Sequence, residues 1–484
     1  MSWLEILILF PFITSFSLLI ISFTEAQKKL VALWGALVPL PISLFAWVGL
    51  DHANFQLQNI ICYSVLPGTN SEVVLGLDGL SAPLVSLTCF LCPLCILAGW
   101  QVIRVGVTEY LVSWLLLEGL LVAVFTTFDL LVFYILFEAT LIPIFVMIGI
   151  WGSRLRKVKA AYQLFLYTLF GSVFMLLALL LIFAQVGSFD YGVLIASNFS
   201  IERQLLLFLS FFLAFGIKIP MVPIHLWLPE AHVEAPTGGS VILAGILLKL
   251  GGYGFLRYTL PLFSEAVLFY TPLVHTVSLL GILYASFTTL RQIDMKKAIA
   301  YSSIAHIGVV TLGIFSGNLM GLVGSCVLIL GHGVVSPGLF LCIGVLYDRY
   351  KTRLVRYYGG LAQVMPLFSA VFLFFSIANL GLPGTANFVG EFLCFSGCFQ
   401  SNNSAAVLAC SGMISSAAYS LWLFCRISFG TLKTVSFLQV ADLNRREFFM
   451  FAPLVFITLW VGFYPKPVIS LLFVPLSCIL ELGF

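Results

Sequence analysis

The chain has 484 residues, 61% of them hydrophobic and 9% charged, with a formal net charge of +3. A globular protein carries about 25% charged residues, so there is too little polar surface here to coat a soluble body of this size. Continuous apolar runs of roughly 20 residues, the length that crosses a hydrocarbon core, recur from end to end. They exclude a barrel of short alternating strands. The sequence therefore predicts an all-α polytopic membrane protein, with 1–484 as a single transmembrane domain.

Met1 to Phe23 contains Glu5 and no basic residue. It lacks the basic start of a secretory signal and the arginines of a mitochondrial presequence, and reads as the first span. Fourteen spans are predicted: 3–23, 30–50, 78–99, 109–126, 129–150, 160–185, 204–228, 238–256, 267–290, 298–316, 319–346, 365–398, 405–428 and 448–464. The long ones at 319–346 and 365–398 have room to tilt or break. The apolar tail 468–482 either lies at the interface or extends the last span past Pro465 and Pro467. The longest loops, 51–77 and 429–447, are too short for an independent domain. Gly251–Gly254 reads G-G-Y-G, but no strand precedes it, so it is not a dinucleotide fingerprint. Cys89, Cys92 and Cys95 mimic an iron–sulfur ligand run. Inside an apolar span with no fourth ligand nearby, they are read as small apolar residues.

The basic residues test the span count. Loops are numbered by the span they follow. Odd loops hold Lys28, Lys29, Arg104, Arg154, Arg156, Lys157, Lys159, Arg291, Lys296, Lys297, Arg349, Lys351, Arg353, Arg356, Arg426, Lys433, Arg445 and Arg446, which is 18 of the 23. Even loops hold Arg203, Arg257 and Lys466. One miscounted span would scramble this parity. The positive-inside rule places odd loops in the cytoplasm or an organelle matrix and both termini on the opposite face.

An ionisable group at bilayer depth costs about 2.5–3.5 kcal/mol on insertion scales and marks a functional site by default. Glu118 lies in span 4, Glu138 in span 5, Lys218 in span 7, Lys249 in span 8, His306 in span 10, His332 in span 11 and Glu391 in span 12. The interior is read as free of arginine. Lysine, glutamate and histidine exchange protons at accessible pH and arginine does not, so this selection favours a proton relay. The plain alternatives are a structural ion pair for Glu138–Lys218, satisfied core histidines for His306 and His332, and a protein interface for Glu118.

Two spans carry helix breakers beside a charge. Pro220 removes the helical partner of the Gly216 carbonyl, and Pro223 that of Ile219, next to Lys218. In span 12, Asn379-Leu-Gly-Leu-Pro-Gly384 interrupts an apolar run two turns before Glu391. Such breaks are tolerated at depth only in protein or facing water. Two interrupted spans five apart match inverted-repeat transporters, with spans 4–8 (about 109–256) and 9–13 (about 267–428) as the repeats. Pro229 to Thr237 is expected as an acidic turn on the basic face, with Glu230 and Glu234. Together with His225, Glu230 is assigned to the proton-uptake side.

Several stretches resemble the antiporter-like proton-translocating subunits of respiratory complex I. They are Phe137-Glu-Ala-Thr-Leu-Ile-Pro143, Trp151-Gly-Ser-Arg, Pro223-Ile-His-Leu-Trp-Leu-Pro-Glu-Ala-His-Val-Glu-Ala-Pro-Thr237, Leu247-Leu-Lys-Leu-Gly-Gly-Tyr-Gly254, Leu290-Arg-Gln-Ile-Asp-Met-Lys-Lys-Ala-Ile-Ala-Tyr-Ser-Ser-Ile-Ala-His306, His332-Gly, Tyr347-Asp-Arg-Tyr-Lys-Thr-Arg353 and Leu382-Pro-Gly-Thr. They run from span 3 to span 13. A glutamate at 391 and the lack of a long lateral helix resemble the mitochondrial subunit 4 type, in its plant and algal form.

The resemblance implies fourteen helices with discontinuous helices 7 and 12, and a relay through Glu138, Lys218, Lys249 and Glu391. It places His306 and His332 near the axis and leaves Glu118 less defined. It implies a subunit of a proton-translocating NADH:ubiquinone reductase in the mitochondrial inner membrane. Its basic loops would face the matrix and its termini the intermembrane space. NAD, FMN, iron–sulfur clusters and ubiquinone would sit in partner subunits, with no cofactor or metal in this chain. The implied partners are antiporter-like neighbours of the subunit 2 and subunit 5 types, accessory subunits, lipids such as cardiolipin, and protons, with no nucleic acid. The competing readings are a subunit of a multisubunit cation/proton antiporter, a membrane cytochrome ligated by His306 and His332, and a purely structural membrane-arm subunit.

Overall fold

The computed structural model describes residues 2–64, 72–432 and 441–483. Thirteen helices among them are long and apolar enough to cross a membrane. Twelve coincide with predicted spans 1–6, 8–11, 13 and 14. Spans 7 and 12 are each two helices: Ile201–Lys218 with Trp227–Glu234, and Pro366–Leu380 with Ala386–Ser401. The breaks fall where Pro220, Pro223 and Pro383 remove backbone donors.

Span 5 is also interrupted, at Thr140 between Leu130–Ala139 and Leu141–Trp151. Pro143 removes the donor for the Ala139 carbonyl, and Glu138 sits one residue before that position. Span 8 is longer than expected, Thr237–Leu262, with π-helical turns at Leu243–Leu247 and Phe255–Thr259. Loop 51–77 contains a small antiparallel hairpin, Gln58–Ser64 with Glu72–Leu77, an addition to the all-α expectation.

The spans sort into a core and a shell. The most apolar window of span 8 is 100% buried, and that of span 11 94%, against 33% for spans 1, 2, 6, 13 and 14. Lys249 and His332 thus ride on the two helices that meet least solvent or lipid. Close approach makes this packing achievable. A Cβ on Gly390 would lie 2.6 Å from the Leu328 backbone, so the second half of span 12 lies directly on span 11.

Loop contacts bear on the parity of the spans. Odd loops meet odd loops: Lys29 Nζ donates to the Trp100 carbonyl (2.7 Å), Ser153 N–H to the Glu234 carbonyl (3.0 Å), and Met295 N–H to the Arg353 carbonyl (3.0 Å). Arg349 pairs with Glu447 at 2.7 Å. Even loops meet even loops: Phe128 N–H donates to Val74 and Leu130 N–H to Phe189, both at 3.0 Å. The odd loops, which carry most of the basic residues, therefore gather at one end of the bundle; Lys433 lies outside the described residues.

One alternative is decided and one expectation corrected. The tail does not extend span 14. Lys466–Gly483 is a separate helix, and a Cβ on Gly79 or Gly483 would meet the carbonyls of Leu471 or Leu260 respectively. Gly79 opens span 3 and Leu260 closes span 8 on the same face, so the tail runs across that face.

Arg257, placed above in an even loop, is buried inside span 8 and bonded to Asp78. Phe128, Tyr191 and Tyr253 surround its guanidinium at 4.7–5.5 Å. The interior does hold arginine, because Asp78 and three aromatic faces replace its hydration. Arg257→Leu leaves the Asp78 carboxylate buried without its partner. A loss of about 3–5 kcal/mol is expected, read as a lower thermal unfolding midpoint in detergent, with partial recovery in Asp78→Asn/Arg257→Leu.

Candidate functional site

The predicted interior charges form one connected run and one separated pair. The run begins at Lys249 in span 8. Its Nζ donates to the Ala244 carbonyl (2.5 Å) and lies 2.8 Å from His332 Nδ1. Ala244 belongs to the π-helical turn just before Lys249, a geometry frequent at functional sites. His332 Nε2, on the other side of the ring, is buried and has no protein partner. The His306 ring lies next, 5.7 Å away between centroids.

His306 Nδ1 is 2.8 Å from Glu391 Oε1, and its Nε2 is 3.3 Å from the Tyr419 hydroxyl. Donation to the carboxylate fixes the Nδ1–H tautomer, with Nε2 accepting from tyrosine. Glu391 is held by the break in span 12. Gly381 closes Pro366–Leu380 with φ +80°, and a Cβ there would lie 2.6 Å from Glu391 Oε2. The break therefore provides both the left-handed residue and the space for the carboxylate. A cavity of about 20 Å³ adjoins His306, Glu391 and Tyr419, enough for one water.

Glu138 and Lys218 stand apart from this run. Each feels the charge of the other, yet no N···O distance between them falls within 4.0 Å. Lys218 Nζ and Glu138 Oε1 have no hydrogen-bond partner, and the ammonium lies 4.2 Å from the centre of the Phe137 ring. A closed structural ion pair is thus not what the geometry holds. The helix break beside Lys218 is satisfied locally. Met221 N–H reaches the Gly216 carbonyl at 2.9 Å, and Trp227 Nε1 reaches the Ile217 carbonyl at 3.0 Å.

Glu118 is fully buried beside Cys89, Cys92 and Cys95, with neither oxygen hydrogen-bonded. It lies within the chain rather than at an interface, and no contact joins it to the run. Most of the expected turn Pro229–Thr237 is the helix Trp227–Glu234, and the chain turns only at Ala235–Pro236. Glu234 is buried there, while Glu230 is half-exposed and bonded to Lys297 at 2.6 Å. His225 is buried between the rings of Tyr284 and Tyr301, with both ring nitrogens unpartnered.

Sequence reasoning missed four participants. Tyr419 bonds His306. His232 is fully buried and stacked on Phe340 at 4.6 Å. Lys296 and Arg353, counted above as loop residues, are 3% and 0% exposed. For Lys296 a signal existed: Asp294 is an N-cap residue, so a helix starting at Met295 draws the lysine inside. The Arg353 guanidinium donates to the Val233 carbonyl and ties the second half of span 7 to the loop after span 11. Burial pulls its pKa below the ordinary value, and Asp294 opposes the shift.

This arrangement of buried lysine, histidine and glutamate sits in a chain with known relatives. Residues 7–127 match the family described as NADH-ubiquinone oxidoreductase chain 4, amino terminus. Residues 127–417 match NADH:quinone oxidoreductase/Mrp antiporter, TM. The chain is 50% identical over 478 residues to NADH-ubiquinone oxidoreductase chain 4 of Marchantia polymorpha, covering 99% of this chain and 97% of that one. It is 52% identical over 478 residues to chain 4 of Arabidopsis thaliana, with the same coverage.

The chain belongs to the NADH-ubiquinone oxidoreductase chain 4 family.

A chain in the structure of respiratory complex I from Thermus thermophilus with bound NADH superposes with TM-score 0.90 and 32% identity, covering 99% of this chain and 100% of that one. A chain of the archaeal membrane-bound sulfane sulfur reductase superposes with TM-score 0.87 at 23% identity, covering 97% of this chain and 77% of that one. At that identity the likeness shows the fold alone.

Gly381→Ala tests the geometry of the run. The added methyl group and the left-handed backbone both resist it. Glu391 is expected to leave His306, seen as a shift of its carboxyl stretching band in infrared difference spectra against Glu391→Gln. Retention of the band would reject the arrangement.

Proposed function

We propose that this chain is a core membrane-arm subunit of a mitochondrial NADH:ubiquinone oxidoreductase and moves protons across the inner membrane. Electrons would pass through NAD, FMN, iron–sulfur and ubiquinone sites in partner subunits, among them antiporter-like neighbours. Basic loops would face the matrix and both termini the intermembrane space, as the positive-inside rule asks. Lipids such as cardiolipin are expected around the exposed apolar faces. The observation that carries the reading is the run Lys249–His332–His306–Glu391, hydrogen-bonded at Lys249–His332 and at His306–Glu391 with the two imidazole rings 5.7 Å apart, in a chain half identical to chain 4 over its length.

Four residues are assigned the relay: Glu138, Lys218, Lys249 and Glu391, with His332 and His306 as carriers between the last two. Lys218 holds a proton while ionised Glu138 is near. At ~5 Å and an effective dielectric of about 20 their attraction is about 3 kcal/mol. Parting the pair removes that stabilisation and leaves a bare buried ammonium, which drives the proton towards Lys249. From Lys249 it passes to His332 Nδ1 as His332 releases its Nε2 proton towards His306, and Glu391 delivers it outward. Spans 4–8 and 9–13 are read as inverted repeats, supported by the breaks in spans 7 and 12, five spans apart. Glu118 has no step in this scheme. His225 and Glu230 remain assigned to the uptake side.

Lys218→Met removes the first carrier. Reconstituted enzyme with this variant is expected to lose NADH-driven proton pumping, measured by a pH-sensitive dye in proteoliposomes. Intact pumping would end the scheme. Glu138→Gln is expected to lower the number of protons moved per NADH, where a purely structural subunit would leave it unchanged.

A further inference from the structure

The His306 ring has two polar partners among the described residues. Glu391 Oε1 lies 2.8 Å from Nδ1, and the Tyr419 hydroxyl lies 3.3 Å from Nε2. His332 faces the ring from span 11 at 5.7 Å between centroids, and span 9 presents the apolar Ile282. With Nδ1 already carrying a proton for Glu391, a second proton has to go to Nε2. That nitrogen then changes from acceptor to donor. The hydroxyl facing it must change the other way, and its own hydrogen needs a new oxygen.

Tyr419 stands between two cavities. One, of about 20 Å³, is shared with His306 and Glu391. The other, also about 20 Å³, is lined by Asn379, Ser302, Ser376 and Ser420. Each has room for one water. The three serine hydroxyls donate to carbonyls of their own helices. Asn379 is 3% exposed, and its Oδ1 has no partner. It sits two residues before Gly381, where the first half of span 12 ends, with its amide beside the Tyr419 hydroxyl. A hydroxyl can both give and accept, and an amide can turn either end to a neighbour.

We infer that Tyr419 and Asn379 form a hydrogen-bond switch that lets His306 take its second proton. The inference rests on the relay reading above. When Nε2 gains its proton, the Tyr419 oxygen accepts that N–H, and the tyrosine O–H turns to Asn379 Oδ1, directly or through the cavity water. The N–H bond formed at Nε2 is matched by the one that breaks at Nδ1, whose proton goes to Glu391. The hydroxyl turns back once the ring regains its starting tautomer. Tyr419 keeps its proton throughout, so it and Asn379 are positioning residues.

Tyr419→Phe keeps the ring and removes the hydroxyl. In reconstituted complex that assembles on a native gel, NADH-driven proton pumping is expected to fall about tenfold, the scale of one hydrogen bond to a charged group. Asn379→Leu removes the second acceptor and is expected to lower pumping as well. The double variant is expected to lose no more than Tyr419→Phe alone, because the two residues act as one unit. A packing role would give no spectroscopic signature. With isotope-labelled tyrosine, turnover of the wild-type complex is expected to shift a tyrosine C–O stretching band in infrared difference spectra. The shift should be absent from Tyr419→Phe and altered in Asn379→Leu.

Wild-type pumping in Tyr419→Phe, with Lys218→Met inactive, would overturn the switch and keep the relay. Wild-type pumping in both would remove both. Reduced pumping in Tyr419→Phe with no tyrosine band in the wild-type spectrum would also overturn the switch, since lost packing then explains the variant. Where Tyr419→Phe fails to assemble, Asn379→Leu decides by the same two readouts.

Discussion

A lysine in the middle of the most deeply buried helix is the constraint on which the rest depends. Lys249 has neither lipid headgroups nor a carboxylate to stabilise it. Its neighbours are a carbonyl released by a π-helical turn and an imidazole on span 11. Burying a charge with so little compensation is costly, so the surrounding helices must bring several polar groups to one depth. Span 11 brings His332, span 10 brings His306, and the second half of span 12 brings Glu391. The close crossing at Gly390 and Leu328 sets that last helix against span 11.

The broken helices serve the same end. A continuous helix satisfies its own carbonyls and leaves no room for a charge along its axis. A break exposes backbone groups and needs local substitutes, here Met221 N–H, Trp227 Nε1 and the left-handed Gly381. Each break sits beside an ionisable side chain: Lys218 in span 7, Glu391 in span 12, and Glu138 in the unexpected interruption of span 5. The separated Glu138–Lys218 pair and the closed His306–Glu391 pair place the two ends of the chain of charges in different states.

The two buried arginines show how the same chemistry is put to structural use. Arg257 is paired with Asp78 and enclosed by aromatic rings, so its charge is fixed. Arg353 holds the carbonyl of Val233 and so the position of the second half of span 7. Neither gives up a proton at working pH. Both lie outside the run of lysine, histidine and glutamate.

The sequence by itself determined the solvent, twelve of the spans and the burial of Lys218, Lys249, His306, His332 and Glu391. Apolar run length and charge position are local properties, and a bilayer makes them decisive. Helix breaks at Pro220 and Pro383 were legible for the same reason. Partnerships were not, because hydrogen bonds such as Lys249–His332 and His306–Glu391 join residues more than 80 positions apart. The depth of Arg257, Lys296 and Arg353 was misread from the chain alone. Each lies near a span end, where a few residues of helix and a partner on another element decide between water and core. Only the tertiary structure decided that, since burying a charge depends on what surrounds it and not on the residues beside it in the chain.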